Sequence, residues 1–130
     1  MLIEKAKGLI HIIDELVNTK ADILVDGEIT YNLSKKLEYE EVLILQSIMY
    51  IGQQEQKPDP QDFSNFYAYE EELKRYRPER LLEDYMRNLG AHYEAPSVRL
   101  YSMLSKRPVR EYLQKGLNIL GIRHEIKQIR

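Results

Sequence analysis

The 130-residue chain contains no cysteine and no tryptophan, and only two phenylalanines. Without cysteine, disulfide frameworks, thiolate-held zinc, iron–sulfur clusters and thiol nucleophiles are all excluded, and a reducing cytosol is permitted. Long apolar runs are also missing. The longest stretch free of charged residues, Val42 to Gln54, has thirteen residues, whereas a membrane span needs about 20 mostly apolar ones. The N-terminus reads Met-Leu-Ile-Glu-Lys-Ala-Lys, which breaks the basic-then-apolar order of a signal peptide, so a cytoplasmic protein without membrane attachment is expected. Glycine-rich phosphate loops and nucleophile elbows are absent, with no GxGxxG, GxxxxGK[ST] or GxSxG.

Leu, Ile, Val and Phe supply 37 of the 130 residues, well above the roughly 20% below which chains stay disordered. One domain over residues 1–130 is expected, large enough to bury a core of its own. Net charge is −2 but unevenly spread. Residues 1–65 carry six Lys and twelve Asp or Glu, while residues 66–130 carry thirteen Lys or Arg and nine acids. From Arg99 to Arg130 eight basic residues face only Glu111 and Glu125. Such asymmetry reads either as acidic and basic elements opposed across one fold or dimer, or as a phosphate-neutralising patch.

Apolar positions at Leu2, Ile3, Ala6, Leu9, Ile10, Ile13, Leu16 and Val17 keep a helical rhythm that Ile12 alone breaks. Residues 22–32, with Asp26-Gly27 between β-branched and aromatic residues, read as a minor β-hairpin or as a loop of an all-helical protein. Glu38 to Gln54 is apolar nearly all round and predicts a central helix, with Gly52 ending it or admitting a close backbone. Asp59-Pro60-Gln61-Asp62 has the form of a helix start. The helix it opens carries Phe63, Phe66, Tyr67, Tyr69, Leu73 and Tyr76 before Pro78 interrupts, and Leu81, Leu82, Tyr85, Met86 and Leu89 resume the spacing. A short helix is expected around Val98 to Leu104. Pro108 opens another with Val109, Tyr112, Leu113, Leu117 and Leu120 inward, and Gly121 stands where a left-handed cap belongs. The tail beyond Ile122 fits a helical turn or a strand. Together these segments predict a mainly α bundle of five to six helices around the central one.

Catalytic groupings are incomplete. His11 lies beside an apolar stripe, His92 stands near Glu94 without further ligands, and His124-Glu125 lacks the second His of a zinc-protease helix. Glu79 and Glu83 share a helix face and Glu70 to Glu72 form a run, but neighbouring arginines make ordinary ion pairs the simpler reading. No cofactor, metal or catalytic residue is assigned, and a non-enzymatic protein is expected. The ten tyrosines suit half-buried seams and interfaces. Phe66, Tyr67, Tyr69 and Tyr76 with Arg75 and Arg77 are therefore candidates for a surface that binds a protein partner or a second copy. The alternative is a nucleic-acid-binding face of Arg99, Lys106, Arg107, Arg110, Lys115, Arg123 and Lys127, with Ser105-Lys-Arg-Pro-Val-Arg110 its best phosphate site. A helix-turn-helix around this link fits weakly, since the turn lacks glycine and the second helix begins with Glu111 and Tyr112 beside its arginines.

Tyr112-Leu-Gln-Lys-Gly-Leu-Asn-Ile-Leu-Gly121, preceded by Tyr101-Ser-Met-Leu-Ser-Lys-Arg-Pro108, resembles the end of a small bacterial family of unknown function with the pattern Tyr-Leu-x-x-Gly-Leu-x-x-Leu-Gly. Ala6-Lys-Gly-Leu-Ile-His-Ile-Ile13 and Leu45-Gln-Ser-Ile-Met-Tyr-Ile-Gly52 are similar to its first and central helices. The chain departs from it at Tyr50-Ile51, where the family places Trp before the glycine, and Phe63 to Tyr93 has no counterpart. The resemblance implies a helical bacterial domain and transfers no activity or site.

Overall fold

The computed structural model describes residues 1–56, 60–75 and 77–123. Among the described residues there are nine α-helices, one 3-10 turn and no strand. The helices are α1 (Leu2–Lys7), α2 (Ile10–Val17), α3 (Ala21–Leu24), α4 (Gly27–Lys36), α5 (Tyr39–Gln54), α6 (Phe66–Arg75), α7 (Pro78–Leu89), α8 (Pro96–Leu104) and α9 (Val109–Ile119). The mainly α class holds. The helix count exceeds the expected five to six because the first segment divides in two and residues 22–32, read as a hairpin or a loop, lie largely in α3 and α4.

α5 is the centre. Val42, Ile44, Leu45, Ile48, Met49 and Ile51 are all buried, and α1, α7, α8 and α9 pack around them. Its start is fixed by the Glu38 amide, which donates to the Glu41 carboxylate at 2.9 Å and satisfies one of the donors a helix end leaves open. The tightest contact is with α9. A Cβ on Gly52 would lie 1.8 Å from the Tyr112 carbonyl oxygen, and one on Gly116 would lie 2.0 Å from that of Ile48. Glycine at both positions lets the two backbones touch, so Gly52 serves as a place of close approach inside α5, two residues before its end.

The glycine and leucines of the Tyr112-to-Gly121 stretch now have packing roles. Leu113, Leu117 and Leu120 enter the core. Gly121 takes φ 72°, while its amide donates to the Asn118 carbonyl and that of Ile122 to the Leu117 carbonyl, the paired bonds of a left-handed helix stop. Arg123 follows directly and forks onto Asp14 of α2 at 2.6 and 3.1 Å. That hydrogen bond, with the attraction of the guanidinium, holds the Asp14 carboxyl below its ordinary value of 3.8 and raises Arg123.

The first segment breaks at Gly8-Leu9 into α1 and α2. The extra turn, closed by hydrogen bonds from the Leu9 amide to the Ala6 carbonyl and from the Ile12 amide to the Leu9 carbonyl, rotates the second piece so that Ile12 joins the core. The start of α1 is held from a distance, because the amides of Leu2 and Ile3 each donate at 2.9 Å to the Glu79 carboxylate on α7. Lys5 pairs with Glu40 at 2.6 Å, and this bond raises the lysine above its ordinary value of 10.5.

Residues 22–32 form neither a hairpin nor a plain loop. Asp26 caps α4, accepting from the Glu28 amide at 3.1 Å. Thr30 and Leu33 turn inward at helical spacing, and α4 packs along α8. Asp-Gly is as good a helix start as a hairpin turn, and the helical spacing of Ile29, Leu33 and Leu37 decided between them. Pro78, read as an interruption, and Pro96 each stand at the first helical position and open α7 and α8. The start near Pro60 is instead a 3-10 turn over Pro60–Asp62, and α6 begins only at Phe66. Asp59 and the tail residues His124, Ile126 and Ile129 lie outside the described residues. No described helix is long and apolar enough to cross a membrane.

Candidate functional site

Two regions carry the residues singled out above, and they differ in how much of their chemistry the fold has already used. The first is α6. Asn65 starts it, its side-chain oxygen accepting from the Ala68 amide at 2.8 Å. None of the described side chains from Phe66 to Glu72 is buried, and α6 has no extended packing partner among the described helices. Phe66 is 68% exposed and Tyr67 71%, a large apolar surface left in water.

Tyr69 is half-buried and is the hub of a small ring cluster. Its centroid lies 5.7 Å from Phe63, edge to face, and 6.2 Å from Phe66. These separations fall in the range favoured by aromatic pairs. Phe63, read from the sequence only as part of the helix, belongs to this surface, and the three-residue spacing of Phe63, Phe66 and Tyr69 was the available signal. Arg77 is exposed at the N-cap of α7. The Arg75 side chain and Tyr76 lie outside the described residues.

The second region is the basic face, and Arg99 leaves it. The residue is 3% exposed. Its guanidinium donates to the Tyr39 hydroxyl at 3.0 Å, to Gln46 Oε1 at 3.0 Å, to the Leu89 carbonyl at 2.9 Å and to the His92 carbonyl. The Tyr39 ring, itself stacked on Tyr93 at 5.3 Å, covers one side. Arg99 is therefore a buried clamp on the C-terminal end of α7, where a cation complements the helix dipole, and not a phosphate ligand. The sequence offered no sign of this, because the four acceptors come from distant or irregular segments.

Arg110 is half-buried and donates to the Val17 and Thr19 carbonyls at 3.4 and 3.2 Å, tying down the end of α2. Arg123 is paired with Asp14, as described. Lys106 reaches over the Tyr50 ring at 5.7 Å, Arg107 and Lys115 are exposed, and Lys127 lies outside the described residues. Among the described residues the fold thus does not bring the six remaining cations together as one exposed face.

A surface cleft of about 400 Å³ opens between α3 and the link from α8 to α9. The buried Leu24, Leu104 and Val109 form its apolar floor, and Lys106 and Arg107 of the link and Asp22 of α3 are its charged lining.

Two of the acid–base candidates, Glu79 and Glu83, are engaged elsewhere. Glu79 holds the start of α1, and Glu83 pairs with Arg87 at 2.9 Å. His11 and His92 are exposed, and His124 lies outside the described residues. Among the described residues no group of three or more His, Asp or Glu side chains could hold a metal ion. Comparison of the chain with protein-family models, with curated proteins and with solved structures found no match.

Proposed function

We propose that this chain is a non-enzymatic interaction module of the cytoplasm whose contact surface is α6 and whose partner is a protein, a second copy included. One observation carries the reading: Phe66 and Tyr67 stand more than two-thirds exposed on a helix with none of its described side chains buried. Covering a large apolar side chain is worth about 1.5–3 kcal/mol, and aromatic residues of this kind anchor interfaces. Nucleic-acid binding by the basic residues is the weaker alternative, since Arg99, Arg110 and Arg123 are bonded within the fold.

The test is sedimentation velocity on the wild-type chain and on Phe66→Ser/Tyr67→Ser, each alone and with any purified partner. Association should be lost in the double variant while far-UV circular dichroism is unchanged. A double variant that associates as the wild type does refutes the reading.

A further inference from the structure

We infer that the cleft between α3 and the α8–α9 link is the receptor for α6 of a second copy of this chain. The inference rests on the proposed role of α6 and adds what α6 docks into. Two different patches of one molecule have matching chemistry. On α6, Phe66 and Glu70 lie one turn apart and are both exposed, so an aromatic ring and a carboxylate project side by side. In the cleft, the floor of Leu24, Leu104 and Val109 is apolar and the adjoining rim carries Lys106 and Arg107. A ring seated on that floor brings its neighbouring carboxylate to the cationic rim.

The size is suitable, since about 400 Å³ falls within the roughly 300–1,000 Å³ of ordinary ligand pockets. The lining also includes Asp22 of α3, whose carboxylate disfavours an approach of Glu70 to that residue and favours one toward Lys106 and Arg107. The cations are available for this role. Among the described residues Lys106 lies over the face of Tyr50, and Arg107 is exposed. Val25, at the cleft, and Ile23 beside it on α3 are exposed large hydrophobics that extend the apolar surface available to Tyr67. Because the donor and receptor patches differ, each chain carries one of each, and every contact joins α6 of one copy to the cleft of another.

This arrangement has a test that a symmetric α6-to-α6 contact fails. Phe66→Ser/Tyr67→Ser destroys the donor and keeps the receptor, while Lys106→Glu/Arg107→Glu destroys the receptor and keeps the donor. All four positions are at the surface, and circular dichroism with thermal melting establishes that both variants fold. In sedimentation velocity the wild type should associate, more weakly as salt is raised, and each variant alone should associate at least about tenfold more weakly. An equimolar mixture of the two variants should form a 1:1 complex, since it contains one intact α6 and one intact cleft. Glu70→Lys added to Lys106→Glu/Arg107→Glu should recover part of the lost self-association.

A wild-type chain that stays monomeric at every concentration overturns the inference. Association that is lost on changing α6 but untouched by Lys106→Glu/Arg107→Glu, or a mixture that remains monomeric, overturns the cleft as receptor and leaves the role of α6 standing. Association indifferent to the α6 substitutions overturns the role of α6 itself.

Discussion

Arg99 is a buried cation whose four described hydrogen bonds go to neutral oxygens on three separate segments. Removing it strands the buried Gln46 side-chain oxygen and takes a donor from the part-buried Leu89 and His92 carbonyls, and an unsatisfied buried polar group costs about 1–3 kcal/mol. Arg99→Met should therefore lower stability in urea unfolding by about 3 kcal/mol or more. Arg99→Lys should recover little, because an ammonium on a single stem does not reproduce the planar fork. Asp14 gives a smaller effect with a defined pH range. Its carboxyl is lowered by the bond from Arg123, so the pair's contribution is complete above the ordinary value of 3.8 and disappears as the pH falls through the lowered one. Both side chains remain partly in water, at 38% and 43% exposure, so Asp14→Asn should cost at most about 1 kcal/mol at neutral pH, and progressively less as the pH falls through the lowered value. Carbon-detected NMR titration of Asp14 checks the direction, and a midpoint above 3.8 contradicts it.

Elements were legible in proportion to how local their causes are. α5 shows itself by an apolar surface on every side, and α7 and α8 by proline at the first turn, where the missing amide costs nothing. Residues 22–32 went the other way because Asp-Gly suits two structures and only the spacing of Leu33 and Leu37 against the core distinguishes them. The break at Gly8-Leu9 was visible solely as the misfit of Ile12. The α6 surface could be read in its tyrosines, but the cleft could not, since Leu24 on α3 and Leu104 on α8 meet there only through tertiary packing and share no pattern in the chain. The crossing of α5 and α9 provides the sharpest test at this scale. A methyl group at Gly116 meets the Ile48 carbonyl, and one at Gly52 meets that of Tyr112, so backbone opposes backbone and no rotamer change relieves the clash. Gly116→Ala and Gly52→Ala should each destabilise by about 2–4 kcal/mol despite the better helix propensity of alanine, measured by thermal unfolding. Gly27→Ala, with open space around its position, is the control and should be within about 0.5 kcal/mol of the wild type.

At the scale of the molecule, the described side chains of α6 lie outside a core centred on α5, so the exposed face of α6 contributes to stability chiefly when something covers it. If copies of the chain associate through that face, the folded state gains by mass action, and the melting temperature of the wild type should rise with protein concentration. The melting temperature of Phe66→Ser/Tyr67→Ser should not, and equal concentration dependence in the two would contradict the role given to α6. The position of α5 also has a consequence for how the chain is made. This helix is apolar on all sides, yet α9, the partner that meets its backbone directly, is encoded some sixty residues later. At about 5–20 residues per second of synthesis, several seconds separate their emergence from the ribosome. Throughout that interval the nascent chain carries its greasiest segment without its principal cover, and truncated products ending before Val109 should be strong chaperone clients.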